Sequence, residues 1–297
     1  MNSIAAVIVA VGAMAQNEPK VLLTTDAPIY KIGAGSVKIA VQNIGTSAMS
    51  LSNPGPWAVY NVAGTKLVYT PITIQIPITL DPGQQTSWTW DQKSLSGKPV
   101  PSGTYRVTLR VGTSKFSCWI ALTPTGKIAG SSYFPLRVGN QWSYSGTSQN
   151  SYLAVGQQQP NSQWFQLKGV FGNSWVRLEM GQKQTLFVKK GASIQPLFRF
   201  GLLWKFWYPI KFGGMSGLMA GALNETVVTP AGIFLGCYRL DATESDGAPL
   251  GFSSFWFARG VGLVQYSKLA PGGNKVFRLR EATLKGTDGK TYTLGRK

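Results

Sequence analysis

Side chains that could carry acid–base, nucleophilic or metal chemistry are scarce in this sequence. Its 297 residues include no histidine, two cysteines and eleven aspartates and glutamates. Without histidine, Ser–His and Cys–His pairs and histidine-ligated metal sites cannot form. The densest carboxylate group, Asp241, Glu244 and Asp246, lacks the ligand spacing of a calcium loop and is expected to form a solvated acidic turn. Asp81 and Asp91 sit beside turns, where aspartate usually caps the backbone. The sequence therefore predicts no catalytic, metal-binding or cofactor-binding residues and a protein that is not an enzyme.

The two cysteines, Cys118 and Cys237, lie far apart in sequence, each in an apolar stretch typical of a strand. Neither belongs to a C-x-x-C motif or to a metal-ligand spacing. Two buried thiols are the main expectation. A disulfide between the two halves of the chain is the alternative in an oxidising compartment.

The most unusual segment, residues 197–212, interleaves Trp, Tyr and Phe with lysine and arginine. Rings beside basic side chains suit a membrane interface, where the rings settle at headgroup depth and the cations meet anionic lipid. They also suit contact with carbohydrate or an acidic polymer. The candidate binding residues of this segment are Arg199, Trp204, Lys205, Trp207 and Lys211.

The same segment can instead be read as two core strands joined at a glycine. Alternation along the second strand would then place Trp204, Phe206 and Tyr208 together on one face. Trp207 would share the opposite, wetter face with Lys205. Both interpretations remain open from the sequence.

Charge is strongly positive and unevenly distributed. The formal net charge is +18; residues 16–125 hold 9 basic and 4 acidic side chains, whereas residues 126–297 hold 20 and 7. The second half is therefore expected to be drawn to anionic surfaces such as membrane lipid, wall polymers or acidic glycans, with a solubilising excess as the alternative. Nucleic acid is not an expected partner, because the basic residues are scattered singly and form no known nucleic-acid motif.

Short runs with period-two alternation, separated by glycine and proline turns, predict an all-β protein. The clearest run is residues 105–111, in which Tyr105 and every second residue after it form an apolar face. Hairpin turns are predicted at residues 61–64 and 287–290. Residues 213–223, rich in glycine and methionine, are expected to form a short helix or a mobile flap.

The N-terminal apolar run, residues 4–14, ends in small side chains before Gln16, a pattern typical of signal-peptidase processing. A buried first strand is the alternative. The predicted organisation is a signal peptide at residues 1–15, a β-sandwich at 16–123 and a larger antiparallel β domain at 124–297. The expected location is extracytoplasmic, either secreted or in the cell envelope.

Residues 80–111, "LDPGQQTSWTWDQKSLSGKPVPSGTYRVTLRV", combine a proline-glycine turn, an aromatic strand ending in Trp90-Asp91, and a Gly-x-x-Val-Pro-x-Gly-x-Tyr element that ends at Tyr105. This stretch resembles the BsuPI proteinase-inhibitor family, over roughly residues 20–122. The resemblance implies an immunoglobulin-like β-sandwich. It also implies proteinase inhibition or another protein-binding role, although a fold alone does not assign a function.

The second half is similar to uncharacterised secreted bacterial β domains. The similarity rests on "YFPLRVGNQWSY", "TPAGIFLGCYRL" and "WFARGVGLVQY". It implies a half-open antiparallel barrel of the LolA or lipocalin kind, which carries lipoproteins or apolar ligands.

The leading functional hypothesis from the sequence is a secreted, non-catalytic binding protein whose partner is a protein, with a proteinase as the candidate. An anionic envelope surface is a second expected partner. Carriage of an apolar ligand by the second domain and a structural role in the envelope are the alternatives. Nothing in the sequence sets the oligomeric state.

Overall fold

The computed structural model describes residues 20–146, 149–181, 183–212, 214–244 and 251–296. Every regular element in these ranges is a β-strand, so the all-β prediction is confirmed. None of the described segments forms a helix with the length and hydrophobicity needed to cross a lipid bilayer. The expected signal peptide, residues 1–15, lies outside the described residues.

The N-terminal unit is built from short strands that alternate buried and exposed side chains, as sheets with one covered face require. Its strands are β1 (Val21–Thr25), β2 (Ile29–Lys31), β3 (Val37–Asn43), β4 (Met49–Leu51), β5 (Trp57–Asn61), β6 (Leu67–Tyr69), β7 (Ile78–Leu80), β8 (Gln85–Trp90), β9 (Gly103–Val111) and β10 (Ser114–Thr123).

These strands form two main sheets around one apolar core. One sheet has the order β1-β3-β8, and the other has the antiparallel order β6-β5-β9-β10 with β2 running parallel to β10. A short β4–β7 pair forms a third, two-stranded sheet. Trp57, Val107 and Leu109 from the second sheet share a buried cluster with Ile39 and Trp90 from the first.

The predicted turns and strands of this unit are present, with one correction. The β5–β6 hairpin turns at residues 61–64, and the Tyr105 hydroxyl donates a 2.6 Å hydrogen bond to the Pro101 carbonyl, which braces the entry to β9. Thr108 was expected on the solvent face of β9 but is buried. It is buried because β9 lies inside the sheet between β5 and β10, and the Ser117 hydroxyl of β10 lies beside it at hydrogen-bond distance, 3.3 Å.

The C-terminal unit has longer strands and a core rich in aromatic rings. Its strands are β11 (Gln141–Ser145), β12 (Asn150–Gln158), β13 (Phe165–Gly169), β14 (Ser174–Met180), β15 (Gln184–Lys190), β16 (Ser193–Arg199), β17 (Trp207–Phe212), β18 (Met215–Thr229), β19 (Gly232–Glu244), β20 (Phe252–Ala258), β21 (Gly262–Ala270), β22 (Gly273–Lys285) and β23 (Thr291–Arg296).

Antiparallel ladders connect these strands in the order β16-β15-β14-β13-β12-β11-β22-β21-β20-β19-β18-β17. The described strands form no closed barrel, because no ladder joins the two terminal strands, β16 and β17. The buried Tyr208 of β17 instead bonds across this gap: its hydroxyl accepts from the Arg199 amide at 2.9 Å. The expected helix or flap at residues 213–223 is wrong over the described part, because residues 215–223 pair with β19 as the first half of β18.

The two units share a sheet edge while keeping separate cores. Residues 118 and 119 of β10 pair with residues 295 and 296 of β23, and the Thr293 amide donates to the Thr104 hydroxyl at 2.8 Å. One buried cluster spans residues 21–122, and nearly all of the other lies between residues 128 and 294. A segment without strands, residues 127–140, covers the second core and inserts Phe134 into it.

Candidate binding surfaces

The segment 197–212 divides into a buried half and an exposed half. Leu197, Phe198 and Phe200 are fully buried at the end of β16, which fits the core interpretation. Beyond them the chain leaves the sheet, and four large apolar side chains face solvent before and at the start of β17. We call Leu203, Trp204, Phe206 and Trp207 the aromatic tip.

The expected alternation across residues 203–208 is wrong because residues 203–206 form a turn and β17 begins only at Trp207. Lys205 has a φ of 61°, in the left-handed region, so Trp204 and Phe206 do not follow strand periodicity. The Phe206 amide donates to the Leu203 carbonyl at 3.1 Å, and the Lys205 amide donates to Ala220 of β18 at 2.8 Å. The turn is therefore held against β18, with Leu203 76% and Trp204 61% exposed.

The two indole N–H groups of the aromatic tip are both satisfied by the protein. Trp204 donates to the Gly221 carbonyl at 3.1 Å, and Trp207 donates to the Thr243 hydroxyl at 3.1 Å. Trp207 also lies over Gly217, where a Cβ atom would collide with its indole. These contacts fix the orientation of each ring while its outer part remains exposed.

Cations surround the aromatic tip. The Lys205 ammonium lies 4.4 Å from the centroid of Trp204, and the Lys183 ammonium lies 5.6 Å from that of Phe206. Lys211 is exposed on β17, on the same face as Trp207. Arg199 differs from the other predicted binding residues, because it is only half exposed and lies 5.3 Å from the ring of the buried Tyr208.

A hydrogen-bonded charge cluster lies behind the aromatic tip, on β18, β19 and β20. Arg239 contacts Glu225 at 2.6 Å and Asp241 at 3.1 Å. The second oxygen of Glu225 accepts from the Trp256 indole at 2.6 Å, and Asp241 accepts from Ser254 at 2.8 Å. Asp241 is thus part of an ion-pair network rather than the solvated acidic turn expected from the sequence, and Asp246 lies outside the described residues.

A second exposed surface, residues 70–77, was missed at the level of sequence. The chain here links β6 and β7 without regular secondary structure, and Ile72, Ile74 and Ile76 are 101%, 65% and 58% exposed. Pro71 and Thr73 face the protein instead: a Cβ on Gly55 would lie 2.9 Å from Thr73 and 3.0 Å from Pro71. We call this stretch the isoleucine segment. Its signal in the sequence is alternation between two prolines, Pro71 and Pro77.

The isoleucine segment is anchored by side chains rather than by a ladder. Thr70 donates to the Trp57 carbonyl at 3.2 Å, and Thr73 donates to Asn53 at 3.1 Å. Residues 71–77 are all described, and none of them makes a backbone–backbone hydrogen bond. A groove of about 440 Å³ beside them is lined by Trp57 and Arg110 among others. The indole N–H of Trp57 has no hydrogen-bond partner among the described residues.

The two cysteines are buried, one in each core. Cys118 and Cys237 are both buried, and no disulfide joins them, so the expectation of two buried thiols is confirmed. Burial raises the pKa of the Cys237 thiol to about 12. Among the described residues, no group of three or more Cys, Asp or Glu side chains is arranged to hold a metal ion.

The interior of the C-terminal unit is filled by rings. Phe198 packs against Phe255 and Phe257 at centroid distances of 5.0 and 4.9 Å. A groove of about 760 Å³ lies elsewhere, between residues 129–137 and the β14–β15 hairpin, and is lined by both apolar and polar side chains, among them Arg137, Glu179 and Lys183.

No protein-family model matches this sequence, and no curated protein matches it.

Proposed function

We propose that the protein is a non-catalytic, extracytoplasmic binding protein that engages a protein partner through the isoleucine segment of its N-terminal unit. The partner class with most support is a proteinase. The observation that carries this proposal is the exposure of three isoleucines on a segment between β6 and β7 that makes no backbone–backbone hydrogen bonds.

A segment whose backbone groups have no sheet partner is suited to binding by strand addition. A partner strand would supply backbone hydrogen bonds, and pockets for alternate side chains would give specificity. Natural proteins usually shield such edges with charge or with a covering element, since exposed apolar strands aggregate. The isoleucine segment carries no charged residue between Pro71 and Pro77, and its apolar face is uncovered. A bound partner would provide the missing cover.

A proteinase is the preferred partner because proteinase clefts bind extended chains. The anchoring of Pro71 and Thr73 on the protein holds the segment in place before binding, which lowers the entropy lost on association. The groove beside Trp57 offers a place for a partner side chain. The resemblance of residues 80–111 to the BsuPI family adds to this proposal.

We also propose that the N-terminal unit is an immunoglobulin-like sandwich and that the C-terminal unit is a half-open barrel. Two facing sheets, the buried Trp57 and the Tyr105 hydrogen bond to Pro101 fit an immunoglobulin-like sandwich, in which a tyrosine braces a corner in the same way. A long antiparallel sheet whose terminal strands lie close without a ladder fits a half-open barrel.

The test is inhibition by the full-length protein of subtilisin-like, trypsin-like, chymotrypsin-like and elastase-like serine proteinases. We expect slowed substrate cleavage for at least one of them. Ile74→Glu should raise the inhibition constant about 100-fold, because burying a charge in an apolar pocket costs several kcal/mol. Ile44→Glu is the matched control, since Ile44 is 51% exposed but lies outside the isoleucine segment. The inhibitor proposal fails if no proteinase is slowed at a large molar excess.

Carriage of an apolar ligand is the second candidate function. Because rings fill the interior, the site for such a ligand would be the groove of about 760 Å³ beside the β14–β15 hairpin. Native mass spectrometry of the protein purified from its producing cells tests this, with co-purifying lipid as the expected result. A purely structural role in the envelope is the remaining alternative, and localisation with pull-down experiments separates it from partner binding.

A further inference from the structure

We infer that the aromatic tip docks the protein onto an anionic phospholipid bilayer, with its rings and Leu203 seated at headgroup depth. This surface lies in the C-terminal unit and does not involve the isoleucine segment. The inference is therefore independent of the proposed protein partner.

The composition of the aromatic tip matches the bilayer interface. Aromatic rings prefer the headgroup region, and an aliphatic side chain at the outermost position can reach the acyl boundary. Leu203 is the most exposed member of the tip, and Trp204 is next to it. Both indole N–H groups already bond to the protein, so ring insertion leaves no donor without a partner.

The turn is rigid enough to insert as a unit. Its backbone bonds twice with β18 at Ala220, which donates to the Phe206 carbonyl at 3.1 Å and accepts from Lys205 at 2.8 Å. Ordering these rings on binding therefore costs little additional conformational entropy.

The charges around the aromatic tip select an anionic surface. Lys183, Lys205 and Lys211 are exposed, and each Lys or Arg near such a surface contributes about 1 kcal/mol. The nearby carboxylates of Glu225 and Asp241 are both paired with Arg239, which limits their repulsion of the lipid. The β14–β15 hairpin that carries Lys183 also exposes Met180, which extends the apolar surface.

A carbohydrate is a poorer occupant. Sugar recognition needs free carboxylates or amides beside an aromatic face, so that hydroxyl groups find acceptors and donors. Here Glu225, Asp241 and Ser254 already bond with Arg239, Trp256 and one another. The protruding Leu203 would also obstruct flat stacking of a sugar ring.

The test is co-sedimentation of the full-length protein with vesicles of phosphatidylglycerol and phosphatidylcholine, compared with vesicles of phosphatidylcholine alone. We expect binding to the anionic vesicles that weakens with added salt. Leu203→Ala with Trp204→Ala should weaken partitioning about 100-fold. Each ten-fold loss corresponds to about 1.4 kcal/mol, and burial of each side chain contributes a free energy of about that size. Lys205→Gln with Lys211→Gln should weaken it about 25-fold, or about five-fold per lysine.

Leu235→Ala is the matched control, because Leu235 is 67% exposed but lies on the far half of β19. It should bind like the unaltered protein. Quenching of tryptophan fluorescence by brominated phosphatidylglycerol gives a second readout that needs no variant, and strong quenching is expected. The inference is overturned if anionic vesicles do not bind, if the tip variants bind as well as the control, or if only a soluble acidic polysaccharide binds.

Discussion

Phe198→Ala is the sharpest test of whether the C-terminal unit has a packed core or a space for ligand. Phe198 is fully buried, and five other phenylalanine rings, including Phe171 at 5.5 Å, lie within 6.3 Å of its centroid. Truncating a buried phenylalanine costs about 3–5 kcal/mol, through lost transfer free energy and the cavity left behind. With this many ring contacts we expect a loss of about 4 kcal/mol in the free energy of unfolding, the middle of that range.

Urea unfolding followed by far-UV circular dichroism and tryptophan fluorescence measures this loss. Thermal unfolding gives a second readout. At about 2–4 °C per kcal/mol for a unit of this size, the melting temperature should fall by roughly 8–16 °C. Phe206→Ala is the matched control in the same segment. Because Phe206 is exposed in the aromatic tip, its truncation should change stability by no more than about 0.5 kcal/mol.

The cavity created at position 198 provides a further readout. An apolar cavity of this kind stays dry and takes up small aromatic compounds, so benzene should raise the melting temperature of Phe198→Ala and leave the unaltered protein unchanged. A loss of stability below about 1 kcal/mol would contradict the packed-core reasoning. Stabilisation of the unaltered protein by benzene would contradict it as well, and would favour ligand carriage.

Three further predictions concern buried polar groups. Burial raises the pKa values of Tyr105, Tyr238 and Tyr266 to about 12, against about 10 in the unfolded chain, so their contribution to stability is complete below pH 10 and is lost as the pH rises towards 12. The phenolate absorbance of these three tyrosines, measured at 295 nm as the difference from their Phe variants, should therefore appear together with the loss of circular dichroism, and their titration near pH 10 with the fold intact would contradict this. Tyr105→Phe should lower the free energy of unfolding by about 1 kcal/mol through the lost bond to Pro101, and an unchanged urea midpoint would speak against that brace. Ellman's reagent at pH 8 should react with neither Cys118 nor Cys237 until urea is added, because both thiols are buried, and prompt reaction of the folded protein would refute their burial.

Local patterns were sufficient for much of the fold. Alternation identified strands such as residues 105–111, and the Asp288-Gly289 pair located the β22–β23 hairpin. These predictions succeed because side-chain periodicity and turn geometry are set within a few residues. Burial of Thr108 could not be predicted in this way, because it depends on the strands that flank β9 in the sheet, β5 and β10.

The long strand β18 illustrates a different limit. Its first half belongs to residues 213–223, which are rich in glycine and methionine and suggested a short helix or a mobile flap, because glycine has low intrinsic strand preference. The structure pairs this stretch with β17 and β19, and the missing Cβ at Gly217 is what lets the Trp207 indole lie on the strand. Tertiary packing selects glycine here for close approach, which a single sequence does not distinguish from flexibility.

The two candidate surfaces differ in how visible they are in the sequence, and the difference has a physical cause. The aromatic tip stood out by composition, but its exposure depends on the left-handed turn at Lys205, which turns Trp204 and Phe206 away from the core. The isoleucine segment has the alternation of an ordinary half-buried strand, so periodicity alone predicts that its isoleucines are buried in the core. What exposes Ile72 and Ile74 is that Pro71 and Thr73 occupy the face turned towards Gly55, leaving the isoleucines no neighbouring sheet to pack against. Hydrophobic alternation therefore identifies which residues share a face, whereas the neighbouring elements decide whether that face becomes core or binding surface.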